Sequence, residues 1–246
     1  MIVENNDDYT RFYRLIESLR QGLGGGRILC ECSGRLGWPA RGVYFLFEPG
    51  EMCQSDRELP RIVRVGTHAV STGSKSSLWG RLRAHRGNNS GGGNHRGSIL
   101  RLHIGAALMA RDGKPLLPSW GKGSSAPKGI RIAEEPLERQ VSAYIGGMRI
   151  LWLAVSDEPG PNSDRAYIER NAIGLLSNSG SFPDPPSQEW LGRNSQKPAI
   201  RSSGLWNVDY TDYEYDPSFL DVLERCADTT VGDSLAPRPS TVAGGS

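Results

Sequence analysis

A chain of 246 residues, 37% hydrophobic and 23% charged, is long enough to bury a sizeable core and matches one large domain or a domain with appendages. Fibrous and fully disordered classes are excluded. The longest apolar runs, Val43 to Phe47 and Ile150 to Val155, fall far short of the roughly 18 residues of a membrane span. The net charge of +2 conceals a strong asymmetry. From Leu59 to Arg111 there is no Asp or Glu, while Arg61, Arg64, Lys75, Arg81, Arg83, Arg86, Arg96, Arg101 and Arg111 supply nine positive charges. All four histidines, His68, His85, His95 and His103, lie in the same stretch. Leu205 to Ser246 instead carries eight acids against two arginines, a balance of −6. A basic run without carboxylates is the footprint of a phosphate-rich partner, whose condensed counterions are released by Lys and Arg.

In chain order, Asp7 or Asp8 is positioned to cap a helix built on Tyr9, Phe12, Tyr13, Ile16 and Leu19, and Gly22 to Gly26 ends it. That glycine run lacks the Gly-Lys-Ser/Thr ending and preceding strand of a phosphate loop, so it reads as a helix stop. Gly42 to Phe47 reads as a buried strand, Pro49-Gly50 as the start of a connection, and Arg61 to Gly66 as a second strand with alternating faces. Ser76 or Ser77 caps a short helix through Arg86, stopped by Gly87. Asn88 to Asn94 is a polar flexible loop, Ser98 to Ala110 a helix, Asp112 to Gly129 a long surface loop, and Glu134 to Tyr144 another helix. Met148 to Val155 is a third strand and Asp164 to Leu176 an amphipathic helix. Asn178 to Pro198 returns to loop, Asp216 to Cys226 forms a last helix, and Thr229 to Ser246 has the composition of a disordered tail. The order describes a small α/β unit with one inserted segment and terminal additions.

Cys30, Cys32, Cys53 and Cys226 are too few and scattered for a disulfide scaffold, and Cys30-Glu31-Cys32 has no partner pair for a zinc site. Reduced, mostly buried thiols are expected. The acidic start, Met1 to Tyr9, lacks the apolar stretch of a secretory signal, so a cytoplasmic location is expected.

Gly42-Val43-Tyr44, Arg64-Val65-Gly66, a helix bearing Arg81 and His85, and later Glu169 and Asn178 follow one another in an order that resembles the GIY-YIG endonucleases. The resemblance covers Trp38 to Arg86 and Arg149 to Asn178. It implies a mixed α/β (α+β) fold: a three-stranded antiparallel sheet flanked by helices, with a helical insertion at 87–147 inside a core at 38–178. A helical extension at 1–37 and an acidic extension at 179–246 complete the expected division. It further implies a metal-dependent endonuclease of the restriction or defence type, acting on DNA, double-stranded by expectation, with one Mg²⁺ or Mn²⁺ per site. No membrane partner is expected; a homodimer would supply one site per strand.

The implied roles have a physical basis. Arg81 and His85 lie at i and i+4, on one side of their helix, and reach one phosphate. Arg81 offers a charged fork matched to phosphate oxygens, and His85 accepts or donates a proton near neutral pH. Glu169 holds the divalent cation, which keeps several waters and needs few protein ligands. Tyr44 is the implied general base or water-orienting group, and a phenol needs nearby positive charge for that work. Arg64 stands where the family's second tyrosine belongs; it is expected to face Tyr44 and stabilise its phenolate. His68 is a rival base, and Asn178, with Asn171 as competitor, would orient the Glu169 region. Lys75, Arg83, Arg86, His95 and Arg96 are DNA-contact candidates that position the duplex.

Each residue also has a plain reading. Tyr44 alone would be a packed aromatic, Glu169 a solvated helix residue paired with Arg165, Arg81 a surface charge, and His95-Arg96 a turn; Trp79 is expected to be packed rather than stacked on a base. Two other functions compete: a nucleic-acid-binding module of the same fold that has lost cleavage, favoured by Arg64, and an interaction protein docking through the acidic Tyr210 to Asp216.

Overall fold

The structure, a computed structural model, describes residues 2–54, 56–177 and 184–235, with side chains between residues 7 and 234. Four strands, β1 (Arg27–Ile28), β2 (Gly42–Met52), β3 (Pro60–Gly66) and β4 (Arg149–Ala154), form one antiparallel sheet in the order β1-β4-β2-β3. The expected trio β4-β2-β3 forms its body. The two-residue β1, which composition did not signal, adds a fourth strand through Arg27↔Ile150 and Ile28↔Arg149.

Both faces of the sheet are covered. Val43, Phe45 and Phe47 point into a core shared with α1 (Ile2–Gly22), α5 (Asp164–Leu176) and α7 (Phe219–Leu235). Tyr44 and Leu46 point the other way, toward α2 (Leu78–Arg86), α3 (Ile99–Arg111) and α4 (Lys128–Gly146). This double coverage is why β2 reads as a continuous apolar run, and why β3 does not alternate as expected. The register slips between Leu46↔Arg64 and Phe47↔Ile62, leaving Val63 as the extra residue of a bulge.

Several boundaries differ from the sequence reading. The first helix begins at Ile2, before the expected caps, and α7 extends to Leu235, well past Cys226. Its buried face (Leu220, Leu223, Ala227, Thr230) continues at helical spacing, and the Thr230 hydroxyl accepts the Ala154 N–H at 2.9 Å, so Thr229 onward is not all tail. Residues 236–246 lie outside the described ones. β2 continues through Pro49-Gly50, with Gly50 at φ 87° absorbing the irregular register. α4 starts six residues before Glu134 and runs through Pro136, whose missing N–H costs one helical hydrogen bond. Within the expected loop, Leu191–Asn194 forms a 3₁₀ turn beside the buried Trp190, and α6 (Pro198–Ser203) follows. The cap at Ser77 and the stop at Gly87 (φ 87°) fall where expected, and Ser163 caps α5. The four cysteines are free, two buried and Cys30 exposed. Among the described residues no helix is long and apolar enough to cross a membrane.

β3 is the sheet edge, and the 204–207 segment covers it. The Trp206 N–H donates to the Val63 carbonyl at 2.7 Å, while the Asn207 amide accepts from Val65 N–H at 3.2 Å and donates to Val65 O at 2.8 Å. Otherwise unpaired edge groups are thereby satisfied. Trp206 also donates its indole N–H to Glu48, which accepts a second bond from the Tyr144 hydroxyl at 2.7 Å. Burial raises the Glu48 carboxyl from its ordinary 4.5 to about 7, against the lowering effect of those two donors. The folded protein thus retains a proton that the unfolded chain releases, so this contribution is fully present below about pH 4.5 and lost as pH rises through about 7. Glu48→Gln is expected to be more stable than the parent above pH 7, by on the order of 2 kcal/mol, and equal to it below pH 4.5 in urea unfolding. A difference independent of pH would contradict the assignment.

Candidate active site

Four of the nine charges of the basic run are paired in space. Arg61 pairs with Glu51 at 2.6 Å, Arg96 with Glu134 at 2.7 Å and Arg101 with Glu138 at 2.5 Å, all with nearly inaccessible side chains, and Arg111 pairs with Asp112 at 2.8 Å. The partners come from outside the 59–111 segment, so the absence of carboxylates within it does not leave the whole run free. The charges that remain without a carboxylate partner among the described residues, Arg64, Lys75, Arg81, Arg83 and Arg86, gather on and around α2 and the β3 edge.

Tyr44 is the centre of this region. Its Cα pairs with Gly66 across β2 and β3, and its ring lies over that glycine so closely that a Cβ there would stand 2.2 Å from the phenol oxygen. The Tyr44 hydroxyl lies 2.7 Å from His85 Nε2 and receives the Arg64 Nε–H at 3.4 Å. Arg64 pairs in register with Leu46 and reaches diagonally to Tyr44; the Trp206 carbonyl holds its other end. The interaction expected between Arg64 and Tyr44 is therefore present, with the covering segment as its unforeseen support.

His85 is fully buried, its Nδ1 2.7 Å from the Ser98 hydroxyl. Burial first, then the charges of Arg81, Arg64 and Arg101, hold its imidazole well below the usual histidine range, so it is neutral at neutral pH. Arg81, one turn earlier, makes no ion pair among the described residues, and its Nε is buried without a hydrogen-bond partner. Its donors are uncommitted in a way that suits an anion.

Glu169 joins from the opposite layer. α5 crosses the end of β3, and the Glu169 carboxylate accepts the Thr67 N–H at 2.9 Å, one residue beyond Gly66. It does not pair with Arg165, which instead binds Asp157 and the His68 carbonyl. Burial raises the Glu169 carboxyl, opposed by Arg64, the Thr67 N–H and Arg81. Tyr44, Arg64, Arg81, His85 and Glu169 thus come together at one end of β2 and β3.

The other candidates are placed differently. His68 is buried with Nε2 3.3 Å from the Ala40 carbonyl, and burial followed by the Arg165 charge lowers it to about 4; it makes no contact with Tyr44. His95 is not a surface loop residue: it stacks on Trp120 at 3.8 Å, bonds Glu138 at 2.9 Å and accepts the Gly121 N–H at 3.0 Å. Arg96 is equally committed, its fork on Glu134 and the Lys122 and Ser119 carbonyls. Neither side chain is free for DNA, because both pin the 112–127 loop to α4. Arg86 lies over Trp79 at 5.3 Å and donates to the Cys32 carbonyl and Asn89, and Trp79 stacks on Trp38 at 5.6 Å, packed as expected. Lys75 and Arg83 are exposed. Asn178 lies outside the described residues, whereas its competitor Asn171 is buried and bonds the Tyr167 carbonyl and Asp216 N–H. Sequence reasoning missed Ser98, Thr67 and Trp206; Ser98 alone carried a signal, a hydroxyl before an apolar helical run.

An open cleft of about 630 Å³ borders α2, lined by Gly80, Arg83, Arg86, Asn88, Asn89 and Asn94. Among the described residues no three His, Cys, Asp or Glu side chains cluster for a metal. Glu169 instead offers one carboxylate, with a single oxygen committed to Thr67. That donor set fits Mg²⁺, which keeps its waters and takes one or two carboxylates plus phosphate oxygens.

No curated protein and no solved structure matches the chain. A family model described as a GIY-YIG domain matches residues 3–232, so that it takes in α1 and nearly all of α7 as well as the sheet. With the family model covering most of the chain and the Tyr44 and Gly66 strands paired beside Arg81 and Glu169, the chain belongs to the GIY-YIG endonuclease family, nucleases that act on DNA.

Proposed function

We propose that the chain is a metal-dependent endonuclease of the restriction or defence type, cytoplasmic, that hydrolyses phosphodiester bonds in double-stranded DNA. The observation that carries this reading is the meeting of Tyr44, His85 and Arg64 within hydrogen-bond distance beside Glu169, with Arg81 uncommitted next to them. As a phenolate supported by the Arg64 guanidinium, its own proton already released to solvent, Tyr44 takes a proton from the attacking water and becomes a neutral phenol. Arg81 binds the non-bridging phosphate oxygens and stabilises charge as it accumulates there. Glu169 holds the divalent ion, Mg²⁺ or Mn²⁺. When bound, that ion neutralises phosphate charge and assists departure of the leaving oxygen. Arg83 and Lys75 contact the flanking backbone, with the cleft beside α2 receiving it. Asn178 orients the Glu169 region or a loop, and a homodimer places one site on each strand.

The test is supercoiled plasmid incubated with purified protein and Mg²⁺ or with a chelator. Nicked or linear DNA is expected only with the metal. Binding that weakens with salt but yields no product in any metal would instead support the inactive binding module, which Arg64 in place of a second tyrosine favours.

A further inference from the structure

Ser98 belongs to the inserted segment, yet it touches the centre of the site. As the N-cap of α3 its hydroxyl oxygen accepts the Arg101 N–H at 3.3 Å, and the same oxygen lies 2.7 Å from His85 Nδ1. These are its hydroxyl's hydrogen-bond partners among the described residues, and Ser98 is 1% exposed. His85 Nε2 in turn lies 2.7 Å from the Tyr44 oxygen.

The chain of groups from Ser98 through His85 to Tyr44 has two hydrogen bonds and, with a neutral imidazole, three protons. One proton is surplus and points outward from one end. At the Ser98 end it would face the Arg101 N–H, a donor, with no acceptor bonded to that hydroxyl among the described residues. If Ser98 instead donates to His85 Nδ1, the imidazole proton sits on Nε2 and points at Tyr44. The surplus proton is then that of Tyr44, and once it is lost the Tyr44 oxygen accepts from both His85 Nε2–H and Arg64 Nε–H, with every group satisfied.

We propose that Ser98 fixes the His85 proton on Nε2, making His85 a hydrogen-bond donor to the Tyr44 oxygen rather than the acceptor of its proton. This rests on the nuclease reading, in which Tyr44 gives up its proton. Ser98 is a positioning residue that acts through His85. The insertion holds it in place: Arg101 donates to the His85 carbonyl at 2.9 Å and pairs with Glu138, locking the start of α3 against the end of α2. The charged groups around the pair are Arg64 from β3, Arg81 from α2 and Arg101 from α3, and together with burial they keep the imidazole neutral.

Nitrogen-15 spectra of the histidine side chains in the intact protein, with His85 assigned by its absence in His85→Gln, test the assignment. The Nε2–H tautomer is expected; the Nδ1–H tautomer would overturn it. Ser98→Asp retains a cap for α3 but offers His85 only an acceptor, so it is expected to move the proton to Nδ1 and shift the rising limb of the cleavage pH profile upward by about one unit or more. Ser98→Thr, which keeps the hydroxyl, is expected to restore both. An Asp variant that folds, by circular dichroism and melting, with unchanged tautomer and pH profile would overturn the proposal. If the parent shows Nε2–H but cuts no DNA, the nuclease reading falls and the His85 assignment stands.

Discussion

Arg81→Ala is expected to lower Mg²⁺-dependent plasmid cleavage by roughly 10³-fold while changing stability by no more than about 0.5 kcal/mol. Arg81 lies on α2 without an ion pair among the described residues, and its Nε has no hydrogen-bond partner, so its removal breaks no fold-stabilising bond. The helix keeps its Ser77 cap and its Leu78 and Leu82 anchors, both fully buried. What is lost is a fixed guanidinium where phosphate charge develops, beside a low-dielectric interior that makes such a charge effective. Arg81→Lys keeps the charge but loses the two-pronged geometry, and is expected to recover only part of the rate. Single-turnover cleavage and thermal melting of the three proteins decide the matter. An alanine variant cutting at the parental rate would show that Arg81 does not touch the scissile phosphate.

Gly66→Ala, by contrast, is expected to damage both fold and activity. A methyl at this position would sit 2.2 Å from the Tyr44 oxygen and 2.8 Å from a ring carbon, inside contact distance for any packed pair. Tyr44 is fully buried and held at its far end by His85 and Arg64, so the ring has nowhere to withdraw. Overpacking of this kind costs about 1–3 kcal/mol. Displacing the phenol by about 1 Å costs on the order of 10² in rate, even in the molecules that remain folded. Gly129→Ala on α4 is the control, because a Cβ there meets nothing within 4 Å, and it is expected to melt and cut like the parent. If Gly66→Ala melted and cut normally, the close packing of Tyr44 on the paired strand would be wrong.

The strands and the helices that carry the site were legible because their signals are local. Gly42 to Phe47 is an unbroken apolar run, and Ser77 and Gly87 mark helix ends by their own chemistry. Tyr44, Arg64, Arg81, His85 and Glu169 were legible only through their order along the chain. Nothing in Asp-Arg-Ala-Tyr-Ile-Glu-Arg says that Glu169 would bond the end of β3 rather than Arg165. Charge was the least reliable guide. Arg61, Arg96 and Arg101 look free in the sequence because Glu51, Glu134 and Glu138, which bury them, come from other segments. His95 and Arg96 were misjudged for the same reason: a short Asn-His-Arg-Gly-Ser turn gives no sign of the helix that will cover it. The 204–207 segment was invisible, since its contribution to Arg64 is a backbone carbonyl, which any residue type supplies.

The convergence of a phenol, a guanidinium and a carboxylate on one phosphate is tested most directly at Glu169. Gln at this position can still accept the Thr67 N–H, so the fold is expected to hold, but it carries no charge for a divalent ion. Single-turnover plasmid cleavage across a Mg²⁺ titration should show no activity for Glu169→Gln at concentrations that saturate the parent, with DNA binding retained. Cleavage by Glu169→Gln at the parental rate and parental metal dependence would contradict the assignment of this carboxylate and, with it, the site as described.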